Sequence, residues 1–306
     1  MTPGGKAALR WGAIGGSSPG PPAALAVATM RYAPDRKPQP RRWAVILGVS
    51  MGTGAAIARS VAQDPGLDVY GVHRGKHLAE AARVEADVVA AGGRAVIRTG
   101  DAGTAEGAMS GANDLLATAG ARSVGFLVHS IANASLGLFT SGDKDQLVVR
   151  QVQKTFESMA HSFVYWIQEL VARDLLAPGA QLLALTNPLH ESLLHNTGLV
   201  VASKAALEMY VRHLALELGP RGHRVNLLKF STVMTPAVEK VYSADALARL
   251  DAVHRRMIPA RRMSTTDEVA RFVSLLLDRR AAWFNGATID FTGGMTQSLL
   301  DVVINP

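Results

Sequence analysis

The sequence predicts an α/β fold of the Rossmann type: a doubly wound parallel sheet of about seven strands with helices on both faces. Three observations lead there. Short apolar runs alternate with helix-spaced segments from Trp43 to Phe291. The runs are apolar throughout, as in strands covered on both faces. A glycine-rich turn joins the first run to the first helical segment, as in dinucleotide-binding α/β units.

The elements follow in order. Trp43–Leu47 reads as the first strand and the alanine-rich Thr53–Gln63 as its helix. Further strands are expected at Leu67–Val72, Arg94–Arg98, Val124–Val128, Gln181–Thr186, Arg224–Lys229 and Ala287–Phe291. Helices are expected at Lys76–Ala91, Thr104–Ala119, Asp145–Arg173, Thr197–Leu218 and Thr266–Leu277, with a helical insertion at Thr235–Met257. No repeat or linker divides the body, so residues 43–306 are read as a single domain.

Composition narrows the function. A chain of 306 residues, 48% apolar and 19% charged, suits a soluble globular protein and can bury a sizeable core. No apolar run reaches the roughly 18 residues of a membrane span. Cysteine is absent, which removes disulfides and thiolate ligands, fits a cytoplasmic protein and leaves no metal site in view. Of the net charge of +7, residues 1–42 hold +6, from Lys6, Arg10, Arg31, Arg36, Lys37, Arg41 and Arg42 against Asp35. A nucleic-acid-binding domain carries its basic patch on the folded body, so no nucleic-acid partner is expected. The Pro/Gly-rich leader is expected to be disordered, and a natural start near Met30 would make it an extension.

Gly48-Val49-Ser50-Met51-Gly52-Thr53-Gly54 stands between the first strand and its helix. Glycines there let the backbone approach a pyrophosphate, and the free amides of the helix start supply donors; packing alone also produces such turns. After the second strand come His73, Arg74, Gly75 and Lys76. An NAD site places a carboxylate in this region for the ribose hydroxyls. Arg74 and Lys76 suit a 2′-phosphate instead, so NADPH is expected ahead of NADH. Asp101 and Ala102, after the third strand, are placed for the adenine edge.

In His195–Glu208, HNTGLVVASKAALE, one lysine stands among small and apolar neighbours. Lys204 either snorkels to solvent or serves a ligand, because a buried unpaired ammonium is costly.

Together GxxxGxG, the acid after the third strand, the SKAALE segment and Val225-Asn226 resemble the short-chain dehydrogenase/reductase family over nearly all of residues 43–296. His129-Ser130-Ile131-Ala132, Ser162-Phe163 and Pro259-Ala260-Arg261-Arg262 are similar to runs of its enoyl-acyl-carrier-protein reductases. The resemblance implies that NADPH gives a hydride to the β-carbon of an enoyl thioester, on coenzyme A or an acyl carrier protein, and that Lys204 holds the nicotinamide ribose. It also places Ser50, Ser130, Ile131, Val233 and Thr235 along the cofactor, the insertion over the substrate, and the two long helices in a homodimer or homotetramer. His129 is equally a packed residue at a strand end.

The sequence departs from that pattern at two places. The family tyrosine, seven residues before the lysine in the enoyl reductases and four before it elsewhere, falls here on Thr197 or Val200, and a second tyrosine of the enoyl reductases falls on Asn187. Thr197 or a loop histidine, His195 or His190, would stand in; Tyr165, Tyr210 and Tyr242 read as packing residues. The Gly/Pro turn after the sixth strand is replaced by Phe230–Thr235. The tyrosine positions keep a non-redox role open, as a nucleotide-binding subunit, cyclase or isomerase. A ketoreductase is a third reading. Arg255, Arg256, Arg261 and Arg262 are either solvated pairs or a face for an acidic carrier.

Overall fold

A computed structural model of the protein describes residues 41–191, 193–298 and 304. Most of the expected leader lies outside these residues. Seven parallel strands form one sheet: β1 (Arg42–Leu47), β2 (Leu67–His73), β3 (Ala95–Thr99), β4 (Val124–His129), β5 (Leu176–Thr186), β6 (Arg224–Phe230) and β7 (Thr288–Phe291). Their order is β3-β2-β1-β4-β5-β6-β7. Chain order reverses between β1 and β4, and the carboxyl ends of such strands open a crevice.

Helices cover both faces. α1 (Gly52–Val61), α2 (Leu78–Ala90) and α9 (Thr266–Leu275) pack Ile57, Val84 and Val273 on one side with Ile46, Val69 and Phe126 of the strands. On the other side α3 (Ala105–Ala119), α4 (Val149–Phe156), α5 (Ser162–Ala172) and α6 (Gly198–Leu218) cover Val45, Tyr70 and Leu127, with Leu115, Trp166 and Leu207 buried from α3, α5 and α6. A fully buried aliphatic or aromatic side chain contributes about 1.5–3 kcal/mol, so these two layers fix the frame of the site.

Boundaries differ from expectation in four places. The helix expected from Asp145 begins at Val149: residues 145–148 stay non-helical, with Leu147 N–H on Leu138 O at 2.8 Å. It then passes through a π-helical turn, Glu157–His161, between α4 and α5. Ser158 lies in that turn, and its hydroxyl reaches Asn133 O at 2.8 Å and Lys154 O at 2.9 Å; extra-residue turns of this kind recur near functional sites. β5 begins five residues before the expected Gln181, because buried Leu176 and Ala177 already belong to the sheet and Pro178-Gly179 only kinks it outward. The insertion is two helices, α7 (Pro236–Val241) and α8 (Ala244–Met257), divided where Ser243 caps the second by accepting from Ala246 N–H.

Candidate functional site

The crevice at the reversal point is a cleft of about 410 Å³. Its floor is the β1–α1 turn. Gly48 has φ +91 and Gly52 φ +58, values that favour glycine. A Cβ on Gly48 would stand 2.4 Å from Ser130 O, and one on Gly54 would stand 2.1 Å from Gly48 O. No side chain caps the start of α1, and its first turn holds no acid. The free amides and the positive end of the helix dipole therefore face the cleft, an arrangement suited to phosphate. The glycine cradle and the uncapped amides fit the pyrophosphate of a dinucleotide.

Around this floor the fold gathers Gly48, Ser50, Gly52, Arg74, Lys76, Asp101, Ala102, Ser130, Ile131 and Thr235. Arg74 and Lys76 come from the β2–α2 turn. Asp101 accepts Gly103 N–H at 3.0 Å, which orients its carboxylate. Gly54 lies behind the turn, one step inside α1. Val233 does not line the cleft; it is buried in the core under α9.

Lys204 sits on α6 and is only 7% exposed. It does not snorkel. Its Nζ donates to Leu185 O at 2.7 Å, at the end of β5, and burial pushes the ammonium down to about 8. Thr197, two turns earlier on the same helix face, is 5% exposed, and its hydroxyl donates to Leu194 O at 2.6 Å. His195 is exposed on the preceding loop, beside Asn196 with φ +66. None of these three lines the 410 Å³ cleft.

Residues 48–296 match the family model described as Enoyl-(Acyl carrier protein) reductase. The chain belongs to this branch of the short-chain dehydrogenases/reductases. It is 27% identical over 256 residues to 1-cyclohexenylcarbonyl-CoA reductase of Streptomyces collinus, covering 84% of this chain and 87% of that one. Against the NADH-dependent enoyl-[acyl-carrier-protein] reductase of Escherichia coli it is 29% identical over 55% of this chain and 63% of the relative. Among solved structures, L-sorbose reductase from Gluconobacter frateurii with NADPH and L-sorbose superposes with a TM-score of 0.74 at 23% identity, over 85% of this chain and 98% of that one. A short-chain dehydrogenase from Burkholderia cenocepacia J2315 in complex with NADP gives 0.69 at 25% identity, over 83% and 97%. The protein is thus an NAD(P)H-dependent oxidoreductase.

Several residues of this reductase-family site carry no motif signal. His73 and His77 flank Arg74 and Lys76 in the cleft wall, and a basic cluster of four in five residues was the signal available. Trp166 of α5 donates from Nε1 to Ala102 O at 3.0 Å and so fixes the turn after β3 from below. His129 proves to be packed: it is fully buried, with Nε2 2.8 Å from Ser162 Oγ. Ser162 gives its own proton to Ser158 O at 2.9 Å, so His129 carries its hydrogen on Nε2 and leaves Nδ1 without a partner. Burial, then the charge of Lys204, pushes this imidazole down to about 3; it is a neutral wall of the lysine pocket. Three of the described tyrosines are engaged elsewhere. Tyr210 Oη lies 3.0 Å from His161 Nδ1, the ring of Tyr165 packs on the same histidine, and Tyr70 donates to Asp114 at 2.8 Å. No group of three or more potential ligands among the described residues could hold a metal, and no helix among them is long and apolar enough to cross a membrane.

Proposed function

We propose that the protein reduces the carbon–carbon double bond of an enoyl thioester, on coenzyme A or an acyl carrier protein, with NADPH. The family match over residues 48–296 carries the reading, and the likeness to a 1-cyclohexenylcarbonyl-CoA reductase over 84% of this chain supports it. The choice of NADPH rests on Arg74 and Lys76 just after β2, in a run His73–His77 that holds no carboxylate for the ribose hydroxyls.

The bound dihydronicotinamide would supply the hydride. The chain's own residues would do the rest. The β1–α1 amides and Arg74 hold the phosphates. Lys204, close to the top of the sheet, holds the ribose with the donor protons that Leu185 O leaves over. Thr197, by exchanging its bond to Leu194 O, or His195 on the loop above, would meet the negative charge that develops on the thioester oxygen. Loss of one such aimed donor costs about 3–4 kcal/mol in other enzymes. The insertion, α7 and α8, covers the substrate. The arginines beside it are partly paired, Arg255 with Asp251 and Arg262 with Glu268, and an acidic carrier would compete for those partners. The reading includes a homodimer or homotetramer in the cytoplasm.

A second reading takes the family tyrosine to fall on Thr197 or Val200, as the resemblance implies; the protein then binds nucleotide without redox turnover. Nucleotide fluorescence gives NADPH affinity; NADPH oxidation with enoyl and ketoacyl thioesters gives the reaction, with Lys204→Ala as control. Enoyl-dependent oxidation that Lys204→Ala abolishes is the expected result. Binding without oxidation on any thioester selects the second reading, and no binding at millimolar NADPH defeats both.

A further inference from the structure

Lys229, the penultimate residue of β6, lies on the face that α6 covers. Val225 and Leu227 of the same strand belong to the core shared with Leu207 and Val211, and the two-residue period of a strand puts Lys229 on that face as well. In register it stands opposite Thr186 of β5, one residue past Leu185, whose carbonyl holds Lys204. Two lysines therefore flank the carboxyl end of β5, and their surroundings differ.

Among the described residues, Lys204 meets a backbone carbonyl and no carboxylate. Lys229 is 8% exposed and meets two carboxylates: Glu191, from the β5–α6 connection, and Asp290 of β7 at 3.0 Å. Thr292 in turn donates its N–H and hydroxyl to Asp290 Oδ1 at 2.9 and 2.6 Å. Burial alone would lower the Lys229 pKa, but the two carboxylates outweigh it and the net direction is up. A cation so neutralised is a poor proton donor and a poor ligand for a developing oxyanion. What it does is tie a connection to two strands.

That connection carries His195 and Thr197. The amides of Leu189, Glu191 and Thr197 bond within the connection itself, to Asn187 Oδ1, Pro188 O and Leu194 O, so they shape the loop without fastening it to the sheet. Just past Lys229, Ser231 Oγ lies 3.3 Å from Ser264 Oγ, and Thr232 Oγ1 lies 3.0 Å from His254 Nε2 of α8. Lys229 and the residues just after it are thus the place where loop, β7 and insertion are all fastened.

We infer that Lys229 is a positioning residue: through Glu191 it fixes the β5–α6 connection, and with it Thr197, against the sheet. The consequence for substrate rests on the enoyl-reductase reading; the clamp itself does not. Hydrogen exchange of peptides spanning 188–197 is the test, on the full chain, with Lys229→Met, Glu191→Ala and Lys229→Arg. Glu191→Ala releases the connection and leaves Lys229 paired with Asp290, so it keeps the test open if Lys229→Met unfolds. Exchange of 188–197 should rise at least tenfold in both, with β1 and β2 unchanged in Glu191→Ala and Lys229→Arg intermediate. With an enoyl thioester, Glu191→Ala should raise KM at least fivefold and leave NADPH affinity within twofold. Unchanged exchange of 188–197 in Glu191→Ala overturns the inference. Because exchange needs neither substrate nor nucleotide, that failure is distinct from a failure of the enoyl reading, which shows as absent turnover with the clamp intact.

Discussion

The cleft at the reversal point is shaped largely by backbone: two glycines at positive φ, the uncapped start of α1, and a turn held from below by Trp166. Beyond the cleft, around the carboxyl end of β5, the structure rests on side chains, each already engaged with the protein: Lys204 with Leu185 O, Thr197 with Leu194 O, Lys229 with two acids. A backbone site is set by the fold and admits few sequences. A side-chain site can be rewritten residue by residue while the fold stays, and the departures that the sequence resemblance implies, at Thr197, Val200 and Phe230–Thr235, fall there.

The sharpest way to break the contrast is Gly54→Val. Its Cβ would lie 2.1 Å from Gly48 O, and NADPH should bind at least 100-fold more weakly by nucleotide fluorescence, about 2.7 kcal/mol. A variant that keeps wild-type affinity would show that the turn does not set the site. Next is Lys204→Met. The folded-state value of about 8 lies below the ordinary 10.5. Below pH 8 both folded and unfolded chains hold the proton, and the burial penalty is full. Between pH 8 and 10.5 the unfolded chain binds more protons, so wild-type stability rises with pH. Removing the ammonium should stabilise the fold by about 2 kcal/mol at pH 7, after allowing about 1 kcal/mol for the lost bond to Leu185 O. Denaturant melts at pH 7, 8.5 and 10 should show the advantage shrinking, and an advantage that is constant with pH would refute the buried-cation account.

Smaller effects sharpen the contrast. Arg74→Ala should weaken NADPH about tenfold and leave NADH within twofold, in line with one charge-assisted contact; equal loss for both nucleotides would move Arg74 away from the 2′-phosphate. Thr197→Val should lower kcat with an enoyl thioester by about threefold to tenfold at constant NADPH affinity. An unchanged kcat would leave His195 as the donor to examine.

The strands were readable because they are buried on both faces, which forces apolar runs such as Val124–Val128 and Leu182–Leu185. The glycine loop was readable because its geometry admits almost no other residue at Gly48 and Gly54. Segments whose shape depends on distant partners were not. The π-helical turn at Glu157–His161 is tied to Asn133 some 25 residues away, and the early start of β5 depends on its pairing with Val124. The sequence marks Lys229 only as the end of an expected strand, since neither Glu191 nor Asp290 is near it in sequence. His129 could be read as packed or functional until Ser162 and Lys204 were placed beside it.

The interlock of Gly48 against Ser130 and of Gly54 against Gly48 has a consequence for entropy. A loop wedged between a strand end and its own helix has already given up its conformational freedom when the chain folds. A dinucleotide arriving there meets amides that need no further ordering, so the free energy of those contacts goes into affinity instead of into freezing the loop.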